Sequence, residues 1–280
     1  MTYLELHQWV VRELSAAGVA NADQEGRWIA EHALADFAKR LVVRAHDAAS
    51  KDLVQRIEES VYRRALGEPL QHVLGTTEFY GLELATPPGV LIPRPETECL
   101  VDLVLRTSHP PGPVLDLCCG SGAIALALAA EFAPSRRIVA SDKSAFAVEV
   151  TRRNAGRLGL DIEVVQGDLF ESVSGRFAVI ATNPPYVSTG EYRDLDPAVR
   201  DHEPEEALTA GVDGLDVIRG IATEAPGFLV PDGRLFCEIG AGQGADAGCI
   251  IQAAGFVEVR VHPDRAGRDR IVEAKIQAIR

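Results

Sequence analysis

The sequence predicts an α/β protein: a mostly parallel sheet with an antiparallel edge hairpin, preceded by a small helical domain and a β-hairpin linker. Three observations predict it. Residues 1 to about 70 show only helical apolar spacing, residues 71–94 alternate and then fill with proline, and strand and helix signals take turns from Pro113 onward. The expected domains are 1–70 (helical), 71–94 (hairpin and linker) and 95–280 (α/β).

Thr2 with Glu5, and Asn21 with Gln24, read as capping boxes. Leu6, Val10 and Leu14, then Ile29, Ala33, Leu34 and Phe37, recur at helical spacing. A third helix is expected from Lys51 to Leu66, stopped by Gly67-Glu68-Pro69. His72-Val73-Leu74 and Glu78 to Leu84 alternate around Gly75 and Gly81, as a hairpin does. Pro87, Pro88, Gly89, Pro93 and Pro95 then stiffen a connector, and Pro95 to Glu98 opens a helix to about Arg106.

Strands are expected at 114–117, 137–141, 162–165, 177–181, 234–239, 257–261 and 271–276. Helices are expected at 123–132, through Asn154 to Leu158, and near 215–228 and 245–254. Alternating βα units imply a parallel sheet with ligand sites at the strands' carboxyl ends. The last two strands follow one another without a helix, which makes them an antiparallel edge hairpin.

Composition narrows the class. The chain has 280 residues, 46% hydrophobic and 25% charged, so it can bury a core without metal or disulfides. The longest strongly apolar run, Ala123 to Ala130, is too short for a bilayer. Glu5, His7, Arg12 and Glu13 interrupt the N-terminus, so no signal peptide is expected. Five cysteines without CxxC spacing fit a reducing cytoplasm and no metal site. The net charge of −13 opposes general nucleic-acid binding.

Asp116-Leu117-Cys118-Cys119-Gly120-Ser121-Gly122 sits where the first strand of the sheet turns into its helix. Gly120 and Gly122 let a ligand approach the backbone, and the helix start offers free N–H groups. Asp142, ending the next strand, is placed to accept both hydroxyls of a ribose, and Asp168 follows the third strand near an adenine. A dinucleotide fold wants a third glycine where Ala125 stands. The class I, Rossmann-like adenosyl-methionine fold fits better; the glycines alone make only a tight turn.

Asn183-Pro184-Pro185-Tyr186 directly follows the fourth strand. An amide nitrogen is a poor nucleophile because its lone pair is delocalised. The Asn183 side-chain oxygen and the Pro184 carbonyl can bind its two hydrogens and aim the nitrogen at a methyl donor. Prolines hold such carbonyls stiffly, and Tyr186 can stack on a planar group. In another context the tetrapeptide is only a rigid loop.

With these residues the chain resembles the peptide chain release factor N5-glutamine methyltransferases of the HemK/PrmC type. Gly67-Glu68-Pro69, Glu78 to Gly81, Pro88 to Glu98, the Asp116 turn, Asn183 to Tyr186, His202-Glu203-Pro204 and Ala266 to Arg270 all look like family signatures. The stretch Ile92 to Glu98 is the most discriminating, since the Asn183 motif is shared with DNA adenine methyltransferases. The resemblance implies methylation of the glutamine in the Gly-Gly-Gln motif of class-1 release factors, with S-adenosyl-L-methionine as donor and S-adenosyl-L-homocysteine as product. It implies a helical domain that helps recognise the release factor. It assigns Asp116, Cys118, Cys119, Gly120, Ser121, Gly122, Asp142, Asp168, Leu169 and Asn183 to the cofactor, with Arg94 and Glu96 lining its pocket from the linker. Asn183, Pro184, Pro185 and Tyr186 would hold the glutamine, with Asn183, Pro184 and Tyr186 catalytic. Cys118-Cys119 replaces a common Gly-Thr, and Leu169 an aromatic found in some members.

Glu191 to Glu206 carries seven acids against Arg193 and Arg200, either a solvated loop or a lip for a basic partner segment. A lone His202 reads as structural. Competing readings are amide methylation of another protein or a small amide, adenine methylation of nucleic acid, and a non-catalytic cofactor-binding scaffold. A monomer without membrane contact is expected.

Overall fold

Helix α1 (Tyr3–Ala16) starts where the Thr2 hydroxyl accepts the Glu5 N–H and the Glu5 carboxylate accepts the Thr2 N–H, a complete capping box. The structure is a computed structural model that describes residues 1–132 and 135–277. The first of its two compact units comprises Met1–Thr76 with Pro197–His202.

In this unit α1 packs with α2 (Ala22–Ala33), α3 (Phe37–Val43) and α4 (Lys51–Ala65) around Leu6, Val10, Leu14, Ile29, Phe37, Leu53 and Ile57. Each such side chain contributes about 1.5–3 kcal/mol when fully buried. Gly26 lets α2 approach α1, because a Cβ there would stand 2.8 Å from Val10 Cγ1. Two details differ from the sequence reading. Asn21 makes no side-chain cap bond, its backbone lying at φ −110°, ψ 42°. The apolar spacing through Phe37 spans two helices, because Leu34 is extended and breaks the chain direction. After Gly67-Glu68-Pro69 the short helix α5 (Leu70–Leu74) ends at Gly75, whose φ is +72°. His72 is therefore helical, not part of the hairpin.

The second unit comprises Thr77–Asp196 and Glu203–Arg280; residues 278–280, the end of the expected α/β domain, lie outside the described residues. The hairpin is β1 (Thr76–Phe79) and β2 (Leu82–Ala85), joined through Tyr80 and Gly81. Both have positive φ, 51° and 74°, the signature of a tight turn matched to strand twist. A single 3₁₀ turn, Pro95–Thr97, leads into α6 (Glu98–Arg106).

The sheet contains β3 (Val114–Leu117), β4 (Ile138–Asp142), β5 (Glu163–Gln166), β6 (Phe177–Thr182), β7 (Leu229–Glu238), β8 (Phe256–Pro263) and β9 (Asp269–Ile276). Their order is β5-β4-β3-β6-β7-β9-β8, parallel up to β7 and antiparallel beyond it. Strand side chains alternate between two apolar layers. Val114, Val179 and Ala181 join α6 and α7 (Ala123–Phe132), whereas Leu115, Leu117 and Ile180 join α10 (Asp216–Phe228) and α11 (Gly244–Ala253). Helix α8 (Ala145–Leu158) follows β4, and the one-turn α9 (Pro197–Arg200) falls in the first unit. Strand order reverses between β3 and β6, which opens a crevice at their carboxyl ends.

Candidate active site

Parallel register brings three strand ends level. Leu117 pairs with Ser141 on one side and Thr182 on the other, and Asp142 pairs with Gln166. The Thr182 hydroxyl donates to the Leu117 carbonyl at 2.7 Å, tying β6 to β3 at the last residue before each functional loop. Cys118 and Asn183 therefore leave the sheet side by side.

The turn after β3 is held from beneath. Asp116 is fully buried and its Oδ2 accepts the Ala125 N–H at 2.9 Å, capping the first turn of α7; its Oδ1 has no hydrogen-bond partner. Burial raises its pKa to about 8. Asp142 takes the Gly120 N–H on Oδ2 and the Ser144 N–H on Oδ1, while burial pushes its pKa upward. Cys118 and Leu169 adopt φ of 60° and 46°, a conformation strained for residues with a Cβ. Glycine would hold the Cys118 position without that strain.

These loops surround a cavity of about 330 Å³. Cys118, Cys119, Gly120, Ser121, Asp142, Asp168, Leu169, Asn183 and Pro185 line it. Asp116 and Gly122 instead support the turn: a Cβ at Gly122 would stand 2.7 Å from Thr151 Cγ2. Pro184 is buried, and Tyr186 is half-buried with its hydroxyl 3.4 Å from Glu238 Oε1. Burial first, then the Glu238 charge, pushes the Tyr186 phenol up to about 12.

Arg94 and Glu96 do not line the cavity. Arg94 pairs with the buried Glu203 carboxylate, which also accepts the Ile92 N–H, and Glu96 faces Arg268 at 3.4 Å. The connector's wall positions belong to Gly89, Val90, Leu91, Pro93 and Thr97. Part of the acidic run is likewise structural, since Glu203 is buried and Ser188 holds Glu191 below its usual pKa. Glu206, however, lines the cavity with Lys143, 3.9 Å away.

Sequence reasoning missed Thr97 and Glu238. Thr97 accepts the Asn183 Nδ2–H at 3.3 Å, which commits the amide nitrogen and frees Oδ1 from that contact. Glu238 carried a usable signal, an acid closing an apolar strand, as Asp142 does.

The lining suits an adenosine-sized ligand with hydroxyls and a cationic group. A Cβ at Gly120 meets no atom within 4 Å, so backbone borders open space there. Asp142, Asp168 and Glu206 stand with Lys143 in a wall that is mostly apolar, an arrangement typical of cofactor sites. The cysteine thiols are unsuited to nucleophilic work, because burial lifts Cys118 to about 12 and Cys119 well above its usual value. Among the described residues no group of three His, Cys, Asp or Glu could hold a metal ion, and no helix is long and apolar enough to cross a membrane.

Residues 95–196 match the methyltransferase small domain, and residues 5–75 the PrmC N-terminal domain. A release factor glutamine methyltransferase of Geobacter sulfurreducens is 38% identical over 98% of this chain and 97% of its own length. One from Cereibacter sphaeroides is 39% identical over 96% of each chain. A methyltransferase structure from Pyrococcus furiosus shares the fold, with a TM-score of 0.54 at 19% identity over 80% of this chain and 98% of that one. With near-complete coverage by such relatives over a sheet that ends in the Gly120 turn and the Asn183 loop, the chain belongs to the release factor glutamine methyltransferase family.

Proposed function

We propose that this protein moves a methyl group from S-adenosyl-L-methionine to the side-chain N5 of the glutamine in the Gly-Gly-Gln motif of class-1 release factors, leaving S-adenosyl-L-homocysteine. One observation carries the reading: Asn183 and the Gly120 turn line the same cavity at the strand-order reversal, in a chain of this family.

The cofactor, when bound, supplies an electrophilic methyl group on a sulfonium. Asp142 accepts the ribose hydroxyls, the Cys118–Gly122 backbone cradles the amino-acid portion, and Asp168 and Leu169 flank the adenine. Asn183 Oδ1 and the Pro184 carbonyl accept the two N–H groups of the glutamine amide, with Pro185 stiffening the loop and Tyr186 packing against the planar group. Rate comes from holding that nitrogen in line, since positioning alone can supply about 7–11 kcal/mol of barrier lowering. The product nitrogen gives up its extra proton afterwards.

In this reading residues 1–70 help recognise the release factor, 71–94 connect, and 95–280 perform the chemistry. The protein acts as a monomer in the cytoplasm, where its five free cysteines stay reduced, and its negative charge turns nucleic acid away.

The test is transfer of a labelled methyl group to purified, unmethylated release factor, followed by peptide mass analysis. Wild type should place one methyl on the Gly-Gly-Gln glutamine. Asn183→Ala should lose transfer. Retained cofactor binding with no transfer by the wild type would remove release factor as the acceptor.

A further inference from the structure

Glu238 ends β7, is 1% exposed, and reaches the loop after β6 from behind. Its Oε1 accepts the Tyr186 hydroxyl at 3.4 Å, while Oε2 has no hydrogen-bond partner of good geometry. Thr97 meets Asn183 from the connector. Its hydroxyl oxygen accepts the Asn183 Nδ2–H at 3.3 Å, and the same hydroxyl pulls the Glu238 pKa down. Arg270, 8% exposed, is the nearby cation; its guanidinium is spent on the Ile239 carbonyl and Asp264, and its Nε has no partner.

A hydroxyl has one hydrogen to give, so the charge of Glu238 sets the direction of this chain. An ionised carboxylate only accepts, so it draws the Thr97 hydrogen towards itself and leaves the Thr97 oxygen to accept from Asn183 Nδ2, as it does here. Asn183 Oδ1 is then the end left for an incoming amide N–H. A protonated Glu238 can donate to Thr97. Thr97 can then donate to Asn183 Oδ1, which turns the Nδ2 donor toward the substrate's own N–H donors.

We propose that Glu238 is a positioning residue for methyl transfer, which as a carboxylate holds the Tyr186 hydroxyl directly and orients the Asn183 amide through Thr97. The inference rests on the function proposed above for the Asn183 loop. It also predicts a pH dependence. Burial raises the Glu238 pKa to about 7; Thr97, Arg270 and Tyr186 pull it down, and Glu96 pushes it further up. The working form is the carboxylate, so kcat should climb as pH rises through about 7.

The experiment compares wild type, Glu238→Gln, Thr97→Val and Thr97→Ser, with unmethylated release factor and S-adenosyl-L-methionine as substrates across this pH range. Hydrogen bonds to charged groups are worth about 1.5–3 kcal/mol, so Glu238→Gln should lower kcat about 10–100-fold at pH 8. It should leave the cofactor dissociation constant within about twofold, a small fraction of that energy. Its rate should show no rise through neutral pH. Thr97→Val should lower kcat with Glu238 intact, and Thr97→Ser should recover most of that loss. The Tyr186 phenol, followed by ultraviolet difference against Tyr186→Phe, should titrate lower in Glu238→Gln. Wild-type kcat and pH profile in Glu238→Gln, or wild-type rates in Thr97→Val, would overturn the inference. A wild type that binds cofactor but is silent on release factor overturns the acceptor instead. The phenol titration then decides Glu238, and an unchanged value rejects it.

Discussion

Asp142 accepts the Gly120 N–H at 2.9 Å, so a carboxylate at the end of β4 holds the turn that follows β3. The same oxygen pair also takes the Ser144 N–H at 2.8 Å and starts the approach to α8. One side chain thus fixes the cavity wall and faces into it, and losing it should cost binding more than folding.

Asp142→Ala should weaken S-adenosyl-L-methionine about 10–100-fold by titration calorimetry, the worth of about 1.5–3 kcal/mol for bonds to a charged group. Burial lifts the Asp142 pKa, so the binding form is present above that raised value and lost as pH falls through it. Wild-type affinity should therefore start to fall at a higher pH than an ordinary aspartate would dictate. Asp142→Asn should lack that acid limb.

Gly120 and Gly122 should respond differently to alanine. Both have positive φ, 56° and 84°, but only Gly122 is crowded, by Thr151 at 2.7 Å. Gly122→Ala should cost about 2–4 kcal/mol from backbone strain and overpacking together, read as a lower Tm. Gly120→Ala should cost about 1 kcal/mol in stability and lose cofactor affinity, because its methyl enters the cavity.

Thiol chemistry should separate the cysteines. Cys249 is exposed, whereas Cys99, Cys119 and Cys237 are buried and burial raises Cys118 to about 12. Native protein treated with iodoacetamide at pH 8 should gain one adduct quickly, at Cys249, by intact and peptide mass. Rapid modification of Cys118 would contradict its environment.

Glu203→Ala should leave Arg94 without its carboxylate and the Ile92 N–H without an acceptor. An unsatisfied buried donor costs about 1–3 kcal/mol, visible in denaturant unfolding. Cofactor affinity should fall too, since Leu91 and Pro93 on one side and Pro204 and Glu206 on the other line the cavity. Glu203→Gln should keep the Ile92 bond and suffer less.

What the chain alone determined are the features that arise within a few residues or from simple periodicity. Apolar runs at Val114–Leu117 and Phe177–Thr182 could only be buried strands, and both are. Strand-end residues Asp142, Asp168 and Asn183 were legible because a parallel sheet gathers carboxyl ends on one edge, and all three line the cavity. Tertiary structure decided whatever depends on distant partners. Leu34 splits one apparent helix, and β9 enters between β7 and β8. Arg94 and Glu96 looked free to line the pocket, but Glu203 and Arg268, far along the sequence, claim their side chains. Glu238 meets the Tyr186 hydroxyl only once β6 and β7 pair, and Thr97 reaches Asn183 from a connector 86 residues earlier in the chain. Sterics and hydrophobic spacing act locally and can be read from a string of residues, whereas the pairing of polar groups depends on which chain segments the folded sheet brings within hydrogen-bond reach.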